Sequence, residues 1–305
     1  MENLQLLKNL QIPQGAVDAV IDTDTYNEVD DQFALAYMLK SNENINVKAI
    51  YAAPFHNSRS DSPCDGMYKS YNEIMKLLEV MGKEEYKKCT FHGSEQYMEN
   101  EKTPVESDAM KDLISRARQY TPENPLYVVC IGAITNAASA IATAPDIAEN
   151  IVIVWLGGHD IHVPKGCGEF NMMQDIAAAR VVFTCNAPLV QLPCRRVVSS
   201  FAISEPEFNF WLKGKNKLCD FLVDRVAEYM SDAKGTPWTK VIWDVTAVAW
   251  LMNDNNKFMD SVLMPAYIPE YDMRYAYAPD AKIISYVTGI NKDSLFADMI
   301  DKLTR

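Results

Sequence analysis

The chain has 305 residues, 48% of them apolar and 23% charged, an ordinary globular composition with room for one large or two medium domains. Acidic residues outnumber basic ones by 41 to 29, for a net charge of -12, and there is no dense Lys/Arg run. Binding to nucleic acid or to an anionic membrane surface is therefore disfavoured.

Residues 16–21 form a mostly apolar run that predicts a buried strand. Directly after it, Asp22, Asp24, Glu28, Asp30 and Asp31 crowd five carboxylates into ten residues. Like charges this close repel, and a hard divalent cation is the natural counter-charge, since Ca²⁺ and Mg²⁺ both take carboxylate oxygens. A helix follows over 33–39 and places Asp30 and Asp31 in its first turn, where the dipole favours negative charge. The competing reading is a solvated turn with helix caps, which accounts for one or two acids rather than five. A second strand over 47–53 ends in a loop of turn formers, 54–63, that carries His56 and Asn57. Helical periodicity runs over 67–81.

A strand over 126–131 leads through Gly132 into a helix over 135–144. Small residues there let the backbone approach a ligand closely; a tight turn capped by Thr135 or Asn136 is the alternative. The next strand, 151–156, ends in Gly157 and Gly158, and the loop beyond carries His159, Asp160, His162, Glu169 and Asn171. Glu and Asn suit recognition of hydroxyl groups, against the reading of an ordinary polar loop. A helix over 177–185 and a short strand over 189–192 continue the alternation. Strands alternating with helices imply a mostly parallel central sheet flanked by helices.

With no linker and no internal repeat, residues 1–305 read as one large α/β domain. Segment 206–240 departs from the strand–helix rhythm, with helices expected over 208–212 and 218–230, and excursions of this kind often cap a site. Asp244 is a lone charge in the apolar run 241–251. It is costly there unless paired, metal-bound or used as a helix cap. Trp243 shares a helical face with Ala247, Trp250 and Leu251, which favours a core position over a base-stacking one.

No nucleophile elbow, Walker loop or dinucleotide glycine pattern occurs. The seven cysteines are odd in number and widely spaced without a Cys-x-x-Cys, which fits a reducing cytoplasm better than a disulfide framework or thiolate zinc site. The N-terminus lacks a signal-like basic and apolar pair of regions, and no run is long enough to span a bilayer. A cytoplasmic protein is expected.

The order of these motifs resembles the nucleoside hydrolase family of inosine–uridine-preferring type, over roughly the whole length. The family's opening Asp-x-Asp-x-x-x-Asp-Asp is matched by Asp22, Asp24, Asp30 and Asp31, with two extra residues that bring Glu28 into the loop. Its Gly-x-x-Thr-Asn turn is matched by Gly132 to Asn136, its Glu-Phe-Asn by Glu169 to Asn171, and its late Asp by Asp244. The resemblance implies Ca²⁺ held by Asp24, Asp31, Asp244 and the Ile131 carbonyl, with Asp24 activating a metal-bound water. Asp30, Asn57, Glu169 and Asn171 would hold the ribose hydroxyls, and Trp243 would stand beside the base. A homo-oligomer is also implied.

The departures are on the base side. Many relatives carry a His just before the late Asp, where this chain has Trp243, and often an Asn six positions before the Glu, where it has Val163 beside His162. His159, His162 or His56 would then supply the leaving-group acid. Hydrolysis of an N-glycosidic bond develops positive charge on the sugar, which a carboxylate-rich pocket stabilises. The same pocket repels phosphate, so a nucleoside is expected rather than a nucleotide. Two other readings compete. One is a nucleoside- or ribose-binding protein without turnover on the same fold. The other is a haloacid-dehalogenase-like phosphatase with Asp22 as nucleophile and Asp24 as acid/base.

Overall fold

The apolar run before the acidic loop forms strand β1 (Val17–Thr23). Its side chains alternate between two cores, Ala19 and Ile21 entering one and Val20 the other. Burial on both faces is the reason the run reads as continuously apolar rather than alternating. The computed structural model describes residues 3–233 and 235–305.

The remaining strands are β2 (Ile45–Ala52), β3 (Thr90–His92), β4 (Leu126–Cys130), β5 (Ile151–Leu156), β6 (Leu189–Leu192), β7 (Ala202–Ser204), β8 (Thr239–Val241), β9 (Met259–Pro265), β10 (Tyr267–Pro269), β11 (Tyr275–Tyr277) and β12 (Ile283–Ile290). Eight form one sheet in the order β3-β2-β1-β4-β5-β6-β12-β9. Every neighbouring pair is parallel except β12 with the edge strand β9. The mostly parallel sheet expected from the sequence is thus present, with an antiparallel edge from the C-terminal part, where periodicity gave no signal.

Helices cover both faces. On one side pack α2 (Asp30–Leu39), α3 (Pro63–Met81), α9 (Lys217–Tyr229), α10 (Val245–Trp250) and α11 (Lys292–Thr304). On the other pack α4 (Asp108–Ala117), α5 (Thr135–Thr143) and α7 (Ile176–Thr184). Short helices α1 (Asn3–Asn9), α6 (Phe170–Gln174) and α8 (Glu205–Trp211) complete the set among the described residues. Among the described residues no helix is long and apolar enough to cross a membrane.

Helix α2 is buried at every position, its two leading acids included. It has no polar face because the sheet, α10, α3 and α11 all pack against it. Phe33 is fully enclosed, a burial that contributes about 1.5–3 kcal/mol. The excursion at 206–240 is closed at its base by antiparallel β7 and β8, with Ala202 opposite Val241 and Ser204 opposite Thr239.

Topology fixes where a ligand can sit. The chain runs outward from β1 to β2 and β3, then resumes on the other side of β1 with β4, β5 and β6. Strand order reverses between β1 and β4, and open α/β sheets bind ligands beyond the carboxyl ends of strands at such a reversal. Asp22, near the end of β1, stands opposite both Tyr51 of β2 and Cys130 of β4.

Candidate active site

A cavity of about 300 Å³ opens at this edge. Asp24, Asp30, Asp31 and Asp244 line it and are all buried. Oxygens of Asp30, Asp31 and Asp244 lie within 4.8 Å of one another. The first two open helix α2, while Asp244 precedes α10, more than two hundred residues later. Asp244 occupies the N-cap position of α10 but makes no side-chain capping bond. Helix capping therefore does not explain its charge.

Electrostatics set this cluster apart. Burial, then Asp31 and Asp30, pushes Asp24 well above the usual carboxylate range. Burial, then Asp30, pushes Asp31 up to about 8. Asp244 rises for the same reasons, burial first and then Asp30, Asp31 and Asp24. Both carboxylate oxygens of Asp24 are buried without a hydrogen-bond partner, a costly condition for an ionised group. Such an all-oxygen donor set, with unpartnered buried carboxylate oxygens, fits a hard divalent cation. Ile131 also lines the cavity, and its carbonyl accepts from Asn171 Nδ2 at 3.1 Å while keeping a second lone pair.

Neighbouring residues hold the acids in place. Gly132 allows a close approach: a Cβ there would lie 3.0 Å from Asp24 Cγ and 3.1 Å from Ala53 Cβ, so one of them would have to shift. The Thr135 hydroxyl donates to Asp175 at 2.7 Å. Asn136 Nδ2 donates to Asp22 at 2.8 Å, and its Oδ1 accepts from the backbone and hydroxyl of Ser94. Neither residue makes a capping bond to α5, so this turn ties β1 to its neighbours instead. Asp22 itself is buried and does not line the cavity, and burial pushes it up to about 7.

The remaining residues singled out in the sequence divide into two groups. Glu169, Asn171, Trp243 and His159 line the cavity. Glu169 caps α6, accepting from the backbone N–H groups of Asn171, Met172 and Gly158. Asn171 Nδ2 bridges the carbonyls of Ile131 and Leu156. Trp243 lies before α10 rather than on its face, half-buried, with its indole against both the core and the cavity. His159 Nδ1 accepts from Arg195 N at 3.4 Å, and burial, then the Arg195 charge, lowers its pKa to about 4.

Asn57, His56 and His162 stand outside the cavity walls. Asn57 Nδ2 donates to Asn27 Oδ1 at 2.6 Å, and Asn27 is the one that lines the cavity. His56 and His162 are exposed. Sequence reasoning missed Asn27, Phe170 and Arg195 on the walls, and Lys240, which donates to Glu28 from beside the cavity. Cys194 also lines the cavity, but burial, then Glu169, holds its thiol well above its ordinary pKa and leaves it a poor nucleophile.

Fold and site together define a class: an α/β protein with a cavity at the sheet's switch point and a carboxylate cluster suited to a hard cation. The family within that class is identified by residues 19–287, which match the model described as inosine-uridine preferring nucleoside hydrolase, and the chain belongs to that family. Its members are enzymes that hydrolyse N-ribosyl bonds. Membership sets aside the phosphatase reading. No curated protein matches the sequence.

Solved structures share the fold. A plant nucleoside hydrolase superimposes with a TM-score of 0.74 at 17% identity, over 94% of this chain and 99% of that one. A purine-preferring ribonucleoside hydrolase from Gardnerella vaginalis gives 0.73 at 18% identity, over 94% and 98%. The type III effector protein XopQ, solved with adenosine diphosphate ribose, gives 0.70 at 13% identity, over 100% and 99%.

Proposed function

We propose that this protein is a calcium-dependent ribonucleoside hydrolase, releasing ribose and a free base. The observation that carries the reading is the pair of buried, unpartnered oxygens of Asp24 beside Asp31 and Asp244. Asp24, Asp31, Asp244 and the Ile131 carbonyl would hold Ca²⁺, which accepts such a many-oxygen set. When bound, the cation neutralises the cluster and makes a water more acidic at cavity depth.

The chain's own residues supply the rest. Asp24 takes the proton of the attacking water, its carboxylate made more basic by burial and then by its acidic neighbours. Asp30, Glu169 and Asn171 accept or donate to ribose hydroxyls, and Asn57 acts through Asn27. Remaining negative charge stabilises the developing ribosyl cation. Trp243 offers the base a flat apolar face. His159 accepts at Nδ1, so its Nε2 carries the proton and is the donor on offer to the leaving base. His162 lies on the same loop, exposed, and is the second candidate for that role.

Three further parts belong to this reading. The domain is 1–305, with 206–240 flanking the acidic loop through Tyr229 and Lys240. All seven cysteines are free, which supports a cytoplasmic setting. Exposed Phe210 and Trp211 support assembly of copies into a homo-oligomer, read by sedimentation.

The test is reducing-sugar release from a panel of ribo- and deoxyribonucleosides, with Ca²⁺ and with chelator. Chelator-sensitive release is expected, with His159→Ala slower than His162→Ala. Chelator-resistant release, or none from any nucleoside, would overturn the reading.

A further inference from the structure

Lys240 is the residue in this site with no counterpart in its chemistry. It is a lysine 6% exposed, and lysines are almost never buried unless paired. Its ammonium donates to Glu28 Oε2 and to the Val241 carbonyl at 3.0 Å, and stands 3.6 Å from Asp30 Oδ1. The aromatic ring of Tyr229 lies beneath it, 5.5 Å away. Glu28 comes from the residues inserted in the acidic loop, and Lys240 from β8 at the end of the helical excursion.

This arrangement treats the acids unequally. Asp30 has a donor on each oxygen: Lys240 near Oδ1, and the Trp243 backbone N–H to Oδ2 at 3.1 Å. Asp24, by contrast, has no donor on either oxygen. The Asp30 lone pairs that meet the ammonium and the amide are not free for a cation, whereas those of Asp24 are. The three carboxylates of Asp30, Asp31 and Asp244 are close enough to share one ion, so something must decide which of them does.

We infer that the Glu28–Lys240 pair is a positioning clamp that holds Asp30 out of the cation's shell and keeps it for the substrate. This rests on the proposed cation site. Lys240 offsets part of the cluster's negative charge, and Glu28 in turn offsets Lys240. Removing either partner therefore changes the charge seen by the cation in opposite directions. Damage to the fold would weaken binding in both cases, so opposite shifts are a signature of the clamp.

The experiment is Ca²⁺ titration by calorimetry on the full chain as wild type, Lys240→Met, Glu28→Gln and Lys240→Arg, with nucleoside KM and kcat alongside. Lys240→Met is expected to tighten Ca²⁺ binding at least about tenfold and Glu28→Gln to weaken it at least about tenfold, the worth of a unit charge even about 12 Å away at an effective dielectric near 20. Lys240→Arg should stay close to wild type. Lys240→Met should also raise KM more than it lowers kcat, because Asp30 is drawn to the cation. Affinities that do not move, or that fall in both variants, overturn the clamp alone, since wild-type binding then still stands. Should Lys240→Met fail to fold, Lys240→Gln takes its place, because tightening on loss of the lysine charge is the shift that fold damage cannot produce. Absence of any Ca²⁺ binding by the wild type overturns the site reading and the clamp with it.

Discussion

Removing the divalent cation should set the acidic cluster against the fold, increasingly so as pH rises. Burial, then Asp30, moves Asp31 from its ordinary 3.8 to about 8, and Asp24 and Asp244 move the same way. A carboxyl whose folded pKa is raised stabilises the fold through its protonated form. That contribution is complete below pH 3.8 and is lost as pH rises toward about 8. A shift of this size on a buried carboxyl matters on the scale of the about 5–15 kcal/mol that holds a domain together. A bound cation takes the place of those protons, so the loaded protein should not feel the loss. Asp22, pushed up to about 7 away from the cavity, titrates in both forms. The informative quantity is therefore the difference in Tm between chelated and Ca²⁺-loaded protein, followed by thermal unfolding from about pH 5 to about pH 9. It should widen steadily and reach about 10 °C or more at the alkaline end. A difference that stays constant across that range would refute the argument from buried carboxylates.

Other perturbations address single contacts. Asn136→Ala removes the donor to Asp22, whose other oxygen is already unpartnered, and should cost about 2–4 kcal/mol of stability by urea unfolding. Gly132→Ala brings a methyl within 3.0 Å of Asp24 Cγ. Turnover should fall about tenfold from a displacement of a few tenths of an ångström, with Tm nearly unchanged. Trp243→Ala should raise KM by about tenfold or more, the worth of one base–aromatic stack, while kcat changes little. Asp24→Asn should reduce turnover at least about a hundredfold yet stabilise the chelated protein, because one buried charge is gone.

The sheet was legible because its strands are buried on both faces and so read as apolar runs. Val17–Thr23 and Ile151–Leu156 are examples. Strand β9 was silent for a physical reason, whereas the buried start of β12 (Ile283–Ile290) carried an apolar signal that went unread. Strand β9 lies at the sheet edge with Val262 and Leu263 exposed, and an edge strand needs neither continuous apolarity nor strict alternation. Asp244 could be singled out as a costly charge, but its neighbours Asp30 and Asp31 could not be read from local sequence. Trp243 was drawn toward the core by a helical pattern that α10 does not extend to reach. Asn57 was chosen for its place in a loop, whereas Asn27, its partner at 2.6 Å, is the one that lines the cavity.

Lys240 shows the limit most clearly. Its partner Glu28 is separated from it by 212 positions, and nothing near residue 240 marks a lysine that must be buried. Glu28 alone looks like one more solvated acid in a loop that already has four. Only their pairing explains both: an added negative charge would burden the cluster, and a buried positive charge would burden the core. Each offsets the other's cost, and the remaining freedom is the orientation of Asp30, which touches Lys240 on one side and the Trp243 backbone on the other. The loop insertion and the lysine are thus one feature, and a sequence lacking Glu28 should lose the reason to keep Lys240.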